Sequence, residues 1–252
     1  MTDAREWDAE AYDTLNAPMN ERGDDAVARL QLDGGETVLD AGCGTGQVTQ
    51  TLLDRLPAGR VVALDRSERM LAAARERLGG DGRVAFVHAD LGAPLPLPAA
   101  SVDAVVSTST LHWVRDHDAL WRHLAAVLRP GGQLVVDCGG AGNIAEVLRA
   151  LEGLGHVEHP WTYAGVEETE RRLAAAGFAD ARVRLVPRVS RHGREELERF
   201  LTSVVLREHV EALGPEAGGR LVREVAARLP DGELRWVRLE VLARLSAGGA
   251  AS

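Results

Sequence analysis

A glycine-rich turn follows a short apolar strand near the start of the chain. In the segment Val38–Gln47 the glycines alternate at Gly42, Gly44 and Gly46. Glycine has no Cβ, so the backbone can bend sharply there and a ligand can approach it closely. The dinucleotide-binding fingerprint has two residues between its second and third glycine, whereas this turn has one. The turn therefore predicts a ligand-binding site, with a spacing unlike the dinucleotide type.

Acidic residues end the next two predicted strands. Asp65 closes the run Val61–Asp65, one βα unit after the glycine turn, where a carboxylate can accept hydrogen bonds from both hydroxyls of a ribose. Asp90 follows the third strand, where it can accept from the exocyclic amine of adenine while Leu91 covers the ring. Taken singly, Asp65 can be a strand-end or capping carboxylate and Asp90 part of the turn into Pro94–Pro98. Beside the glycine turn, the two acids indicate an adenosine-type ligand.

The elements that must position these residues alternate between short apolar strands and longer amphipathic helices. This pattern is typical of βαβ units, and right-handed crossovers leave such units little topological freedom. The predicted strands are Thr37–Asp40, Arg60–Asp65, Val84–Ala89, Val102–Thr108, Gln133–Cys138, Ala181–Val189 and Leu234–Leu245. The predicted helices are Asp24–Leu32, Gln47–Leu56, Glu68–Leu78 capped by Ser67, one starting at Asp116 or Asp118 and ending before Arg129, Ile144–Leu154, Val166–Ala176, Glu195–Leu213 and Ala217–Leu229. The sequence therefore predicts an α/β fold.

The composition excludes several classes of protein. All 29 basic residues are Arg, and a chain without Lys lacks the amine that a Walker phosphate loop or a Schiff-base enzyme requires. A net charge of -9 disfavours a nucleic-acid partner, because clustered cations hold such partners. No apolar run has the length of a membrane span and the opening residues are charged, so we expect a cytoplasmic protein without a membrane partner. Cys43 and Cys138 have no metal-ligand spacing, so no metal site is expected.

Successive motifs along the chain resemble those of the class I S-adenosylmethionine (SAM)-dependent methyltransferases. The motifs are Asp40–Gly46, Asp65, Asp90–Leu91, Ser101–Val106 and Leu128–Gly132, in the family's order and over about half of the chain. The segments Ser109–Val114 with Asp116–Asp118, and Trp7–Tyr12, resemble the trans-aconitate methyltransferase branch. The resemblance implies a doubly wound, Rossmann-like, seven-stranded sheet, mostly parallel with an antiparallel last strand, plus helical cap and lid segments. We expect a single domain, with residues 1–32 as N-terminal lid helices, 33–138 as the SAM-binding core and 139–252 as the substrate cap and the end of the sheet.

The resemblance also implies a set of cofactor-binding residues for SAM, whose product is S-adenosylhomocysteine. The glycine turn would face the methionine part, the acid after the second strand the ribose, and the acid after the third strand the adenine. Side chains leaving the fourth strand would lie beside the methionine moiety, and two N-terminal aromatic residues would belong to a lid. In this sequence these residues are Asp40, Gly42, Cys43, Gly44, Gly46, Asp65, Arg66, Asp90, Leu91, Ser107, Thr108, Trp7 and Tyr12.

The sequence offers one candidate for the catalytic residue and three for the acceptor pocket. SAM carries an activated methyl group, so the protein has mainly to align the acceptor and exclude water. His112 follows the fourth strand and is the candidate base, with a pocket-lining or backbone-bonded histidine as the alternative. Trp113, His159 and Trp161 are candidates for the acceptor pocket. A metal is conceivable near His159, but the spacing matches no ligand motif.

The function that these residues favour is methyl transfer from SAM to an oxygen of a small molecule, a carboxylate or a hydroxyl. A carboxylate acceptor needs no base, whereas a hydroxyl or an amine benefits from one by about 10²- to 10⁴-fold in rate. The alternatives are a carbon or nitrogen methyltransferase of secondary metabolism, a SAM-binding sensor or partner subunit without transfer activity, and a nicotinamide dehydrogenase. The oligomeric state cannot be predicted from the sequence.

Overall fold

The computed structural model of the protein describes residues 17–156 and 158–248, and side chains from residue 23 onward. The strands are β1 Thr37–Ala41, β2 Arg60–Asp65, β3 Val84–His88, β4 Val102–Thr108, β5 Leu128–Gly139, β6 Phe178–Arg191 and β7 Glu233–Leu245. The α-helices are α1 Ala17–Ala28, α2 Gln47–Arg55, α3 Glu68–Leu78, α4 His117–Val127, α5 Ala145–Gly153, α6 Val166–Ala175, α7 Arg194–Phe200, α8 Arg207–Leu213 and α9 Pro215–Ala226. Short turns of 3-10 helix occur at Leu111–Trp113 and Pro230–Gly232.

The seven strands form one sheet in the order β3-β2-β1-β4-β5-β7-β6. The pairs among β1 to β5 are parallel, and β7 runs antiparallel to both of its neighbours, β5 and β6. This confirms the predicted fold class, including the antiparallel last strand. The strand order reverses between β1 and β4, and a ligand in an open α/β sheet binds in the crevice at such a switch point.

The central strands are buried on both faces, as parallel strands covered by helices require. On one face Leu39 of β1 and Val105 of β4 pack with Trp121 and Leu124 of α4. On the other face α1 and α2 cover the strands, with apolar residues that include Ala26, Val27, Leu30, Val38, Leu52 and Leu53. Ala26, Val27 and Leu30, which belong to the expected lid region, therefore contribute to the core of the sheet.

A second apolar cluster lies beside the sheet and is formed by the residues that follow β5. It joins α5, α7 and α9 to Trp161 and Trp236, and its most buried members include Val147, Leu201, Leu206 and Val225. We call this cluster the cap. Its helices lie in the part of the chain that the sequence assigned to a substrate cap.

Two of the predicted helices differ from the observed ones by more than three residues at an end or in their continuity. The first helix lies seven residues earlier at its start than the predicted Asp24–Leu32 and ends at Ala28. The predicted helix Glu195–Leu213 is interrupted by a π-helical turn at Leu201–Val205, where the N–H of Leu206 bonds to the carbonyl of Leu201. The extra residue in that turn keeps Leu201, Val205 and Leu206 buried in the cap.

The predicted helix caps are confirmed. The Ser67 hydroxyl accepts from the N–H of Met70, and the Asp116 carboxylate accepts from the N–H of Ala119. Strand β5 begins five residues before the predicted Gln133, because Leu128 already pairs with Val102 ahead of an irregularity in the ladder.

In the two described ranges no helix is long and apolar enough to cross a bilayer, and the expected cytoplasmic location stays a prediction.

Candidate active site

The glycine turn after β1 is bound to the end of β2 by backbone hydrogen bonds. The N–H groups of Gly42 and Cys43 both donate to the carbonyl of Leu64, at 2.8 and 2.9 Å. Gly42 has a φ of +84°, and a Cβ there would lie 2.2 Å from a side-chain carbon of Thr110. Gly42 is therefore required by the packing of the turn itself.

Gly44 has a different role, since its α-carbon faces open space. Its φ is +53°, and a Cβ at Gly44 would meet no atom of the described residues within 4 Å. A small side chain would fit the protein at this position but would fill the space in front of the turn. This space is the expected place for a ligand that approaches the backbone closely.

Asp65 lies at the carboxyl end of β2 and bridges two elements. Its Oδ2 accepts from the N–H of Gly44 and its Oδ1 from the N–H of Ser67, both at 2.9 Å. Burial raises the pKa of the Asp65 carboxyl, although these backbone donors favour its ionised form. Each carboxylate oxygen has a second lone pair. Asp65 can therefore hold the turn and accept hydrogen bonds from a diol at the same time.

Asp40 lies behind the turn and is 1% exposed. Its Oδ2 accepts from the Thr49 hydroxyl at 2.6 Å, whereas its Oδ1 has no hydrogen-bond partner among the described residues. Burial raises the pKa of Asp40 to about 7. This acid is therefore close to half-protonated at neutral pH.

A cavity of about 890 Å³ opens from the carboxyl ends of β1, β2 and β4 towards the cap. Ligand pockets span about 300 to 1,000 Å³, so this cavity has room for a cofactor together with a second small molecule. The end at the glycine turn is lined by Gly42, Gly44, Leu64, Asp65, Arg66, Met70, His88, Ala89, Asp90, Leu91, Gly92 and Ala93. We call this part the cofactor end. The acceptor end is lined by His112, Trp113, Asn143, Ile144, Pro160, Trp161, Tyr163, Val204, Val205, Glu208, Trp236 and Arg238.

His112 stands on the 3-10 turn after β4, between the two ends of the cavity. Its Nδ1 accepts a hydrogen bond from the N–H of Gly139 at 3.2 Å. A neutral imidazole has one donor and one acceptor nitrogen, so the ring proton belongs on Nε2. Burial lowers the pKa of His112 to about 3, and the charge of Arg238 adds to this effect. At neutral pH the ring is an uncharged hydrogen-bond donor.

Arg238 of β7 is a functional candidate that the sequence analysis did not identify. It is 3% exposed, and its Nε and Nη2 groups donate to the carboxylate and carbonyl of Asp137 and to the hydroxyl of Ser109. No hydrogen bond of its Nη1 group occurs within the described residues. The signal in the sequence was an Asp in the apolar strand β5 and an Arg in the apolar strand β7, which are partners only if the strands are adjacent.

Aromatic rings line much of the acceptor end. Trp161 and Tyr163 stack with ring centroids 6.0 Å apart and planes 9° apart. Trp113 meets Trp161 edge to face at 6.0 Å. The Tyr163 hydroxyl bonds to Asn143, and burial raises its pKa above the usual value, so it stays protonated. His159 stacks on Trp161 at 5.6 Å.

The structure brings together nine of the sequence-predicted site residues on the cavity wall. These are Gly42, Gly44, Asp65, Arg66, Asp90, Leu91, His112, Trp113 and Trp161. The predicted residues that do not line it are Asp40, Cys43, Gly46, Ser107, Thr108 and His159. Trp7 and Tyr12 lie outside the described residues. Their assigned roles in binding stay predictions.

Ser107 illustrates why some of these residues are removed from the cavity. Its hydroxyl donates to the carbonyl of Ala41 at 2.6 Å and is fully buried. The chain reaches the cavity two residues later, at Ser109 and Thr110.

In the described ranges no group of three or more His, Cys, Asp or Glu could hold a metal ion.

Comparison with known proteins identifies the family of this fold and site. Residues 38–132 match the family model described as a methyltransferase domain. A trans-aconitate 2-methyltransferase of Mycolicibacterium gilvum (strain PYR-GCK) is 32% identical over 225 residues, which cover 88% of this chain and 83% of that protein. The chain belongs to the class I SAM-dependent methyltransferases, on the branch that includes the trans-aconitate methyltransferases.

Other matches cover less of the relatives. A trans-aconitate 2-methyltransferase of Acidovorax ebreus (strain TPSY) is 37% identical over 131 residues, 52% of this chain, and the match spans 49% of that protein. The first relatives are thus matched over about half of their length. In structure, the Haemonchus contortus phosphoethanolamine N-methyltransferase 2 solved with SAM aligns with a TM-score of 0.66 and 21% identity, covering 95% of this chain and 57% of that one. This likeness supports the fold alone.

Proposed function

We propose that this protein transfers the methyl group of SAM to a carboxylate oxygen of a small organic acid. One observation carries the choice of acceptor: the Nδ1 of His112 is occupied by the N–H of Gly139, and the pKa of His112 is about 3. A base must have a free lone pair and a pKa near the working pH. His112 has neither, so the acceptor that fits is one that is already ionised.

The cofactor end fits an adenosyl ligand. The open space at Gly44 admits a group that approaches the backbone, and Asp65 has lone pairs for the ribose hydroxyls. Asp90 lies at the same end with Leu91, which can cover the adenine ring. SAM supplies the activated methyl group: a carboxylate oxygen bonds to the methyl carbon as the carbon–sulfur bond breaks, which gives a methyl ester and S-adenosylhomocysteine without a proton transfer.

The residues near the acceptor position the acid and exclude water. The Nε2–H of His112 is the donor that can hold one carboxylate oxygen, and Arg238 adds positive charge beside it. Tyr163 keeps its proton because burial raises its pKa, so it too is a donor. These donors and this cation favour an anion over an alcohol. The carboxylic acid in the name of the trans-aconitate relatives supports the same class of acceptor.

The proposal is tested in two steps on the full chain. First, titration calorimetry should detect binding of SAM and of S-adenosylhomocysteine but not of NAD. Then the protein is incubated with methyl-labelled SAM and four matched compounds, an acid, its amide, the alcohol and the amine of the same carbon skeleton. We expect label only in the ester of the acid. Binding of SAM with label in the amine or the alcohol would contradict the choice of acceptor. Binding without any transfer across a broad panel would favour a sensor.

A further inference from the structure

We infer that the acceptor is a monocarboxylic acid with an apolar aryl or alkyl body, and that the site discriminates against polycarboxylic acids such as trans-aconitate. This inference rests on the proposed carboxylate methylation and specifies its substrate. It follows from the chemistry of the acceptor end of the cavity, which differs from what a polyanion requires.

The walls of the acceptor end are mostly apolar. Eight of the residues that line it present rings or hydrocarbon to the cavity, namely Trp113, Ile144, Pro160, Trp161, Tyr163, Val204, Val205 and Trp236. The rings of Trp161 and Tyr163 are nearly parallel, and Trp113 closes one side edge-on. Such walls bind a flat or extended hydrocarbon by burying its surface.

The charges near the acceptor end are too few for a tricarboxylate. Arg238 already forms an ion pair with Asp137, so a bound acid shares this cation with a carboxylate of the protein. Arg115 also lines the cavity and keeps its charge, because the partner of its Nη2 is the neutral carbonyl of His159. Glu208 adds a negative charge at the same end. A buried anion needs a cation or several donors, and three carboxylates would face two arginines, one of them paired with Asp137, and the negative charge of Glu208.

One carboxylate, by contrast, finds its partners. The Nε2–H of His112, the Nη1 group of Arg238 and the hydroxyl of Tyr163 can donate to a bound carboxylate at this end. Arg238 is close enough to His112 to lower its pKa, so both act on the same region. The site therefore offers a position for one anion beside the apolar walls of the acceptor end, and we call the space between these walls the apolar chamber.

The family model is confined to the part of the chain that forms the cofactor end, whereas the match to the Mycolicibacterium gilvum relative, 32% identical over 88% of this chain, also extends over most of the acceptor end. The family model covers residues 38–132, which contain the glycine turn and both strand-end acids. With the exception of His112 and Trp113, the residues of the acceptor end follow residue 132. Shared cofactor chemistry is thus compatible with a different acceptor.

The test measures kcat/KM for methyl-ester formation with straight-chain acids from butanoate to decanoate, 3-phenylpropanoate, trans-aconitate and citrate. We expect kcat/KM to rise about fourfold for each added methylene until the chamber is full. Trans-aconitate should be at least about 100-fold poorer than the best monoacid, because its three carboxylates would share Arg115 and the Asp137-paired Arg238 beside the negative charge of Glu208. Octylamine, included as a cationic probe, should not be methylated.

A variant tests whether the apolar chamber causes the expected rise of kcat/KM with the chain length of the acid. Val204→Phe places a ring in the acceptor end and should lower kcat/KM for the longest acids by about fifteenfold, the equivalent of two methylenes, with little effect on butanoate. The control is Leu213→Phe, at a position that is 41% exposed and does not line the cavity. Both variants should bind SAM like the wild type, which also shows that they are folded.

The outcomes separate the two proposals. If SAM binds and trans-aconitate is methylated as well as or better than every monoacid, the apolar-acceptor inference is overturned while carboxylate methylation stands. The same holds if kcat/KM does not depend on chain length, or if Val204→Phe affects butanoate and decanoate alike. If no acid in the panel is methylated, or if octylamine is the compound that is methylated, carboxylate methylation itself fails.

Discussion

The backbone N–H of Gly139 donates to the Nδ1 of His112 at 3.2 Å and so connects the end of β5 to the turn that follows β4. This bond sets the tautomer of the ring, because a nitrogen that accepts cannot carry the proton. It orients His112 as a donor towards the cavity, whose acceptor end this residue lines. A single backbone contact thus decides between a base and a binding residue.

Replacement of His112 should distinguish these two roles. His112→Gln keeps an acceptor for Gly139 and a donor for the substrate, so its kcat/KM should remain within about tenfold of the wild type. His112→Ala loses the donor and should fall by about 10- to 100-fold, as expected for a hydrogen bond to a charged group. Steady-state kinetics with the best acid gives both values. If the kcat/KM of His112→Gln falls as far as that of His112→Ala, and both fall by 10²-fold or more relative to the wild type, His112 acts as a base.

The pH profile provides an independent readout for His112. Its pKa of about 3 lies far below the assay range, and a carboxylic acid is ionised throughout that range. We therefore expect log(kcat/KM) to be flat between about pH 6 and 9. A loss of activity as the pH falls through the usual range of histidine, absent in His112→Gln, would contradict the donor role.

Two glycine variants test the space in front of the turn. Gly44 and Gly79 both have left-handed backbone angles, with φ of +53° and +60°, and a Cβ at either meets no described atom within 4 Å. Alanine at each should cost about 1 kcal/mol of unfolding free energy from the backbone conformation alone. Only Gly44→Ala should also weaken SAM binding, by tenfold or more. Urea unfolding and calorimetry give the two quantities, and equal SAM affinities would show that no ligand approaches Gly44.

The buried acid Asp40 should make stability depend on pH. Its pKa is about 7 when folded and 3.8 in the unfolded chain, so the folded protein binds a proton that the unfolded one lacks between these values. Stability is therefore lost as the pH rises from about 4 to 7. Asp40→Asn keeps an acceptor for Thr49 and removes this loss. Its free energy of unfolding should therefore exceed that of the wild type by roughly 2–4 kcal/mol at pH 8 and by little at pH 4.

Asp81 is the matched control for Asp40. Its hydrogen bond with Arg83 lowers its pKa, so its contribution to stability is present above the unfolded pKa and is lost on acidification. Asp81→Asn should consequently be less stable than the wild type at pH 8, with the difference vanishing at low pH. Thermal melts across pH 4 to 8 compare the two variants. Parallel pH dependences would mean that Asp40 is not buried as a protonated acid.

The buried pair of Arg238 and Asp137 is expected to stabilise the fold as well as the substrate. Arg238→Met leaves Asp137 buried without its cation and should cost about 3–5 kcal/mol. The double variant Arg238→Met/Asp137→Asn should recover most of this loss. Both variants should bind the acid more weakly than the wild type, although both should bind SAM. Equal stability of the single and double variants in urea would show that the pair is not energetically coupled.

Local patterns were sufficient for the cofactor end of the cavity. Gly44 and Asp65 are separated by a single βα unit, and parallel strands of such a unit bring their carboxyl ends to the same edge of the sheet. The hydrogen bond between the Gly44 N–H and Asp65 is the direct result. The strands and helices were predictable for the same reason, since their periodicity is contained in a few consecutive residues.

The acceptor end was not predictable in this way. Asp137 and Arg238 are 101 residues apart in the chain and meet because β7 inserts antiparallel beside β5. The position of the π-helical turn at Leu201–Val205, which brings Val204 to the cavity, depends on how the cap packs. No local pattern contains either piece of information.

For this protein, periodicity and the spacing of glycines and acids suffice to define the family, the sheet and the residues proposed to meet the adenosine moiety, because these residues come together within adjacent βα units. The protonation of His112, its partner Gly139 and the charge balance around Arg238 depend on burial and on contacts between distant segments. The protonation state of a group depends on how deeply it is buried and on the charges around it, and neither is contained in a local sequence pattern. The choice of acceptor is therefore a property of the folded molecule.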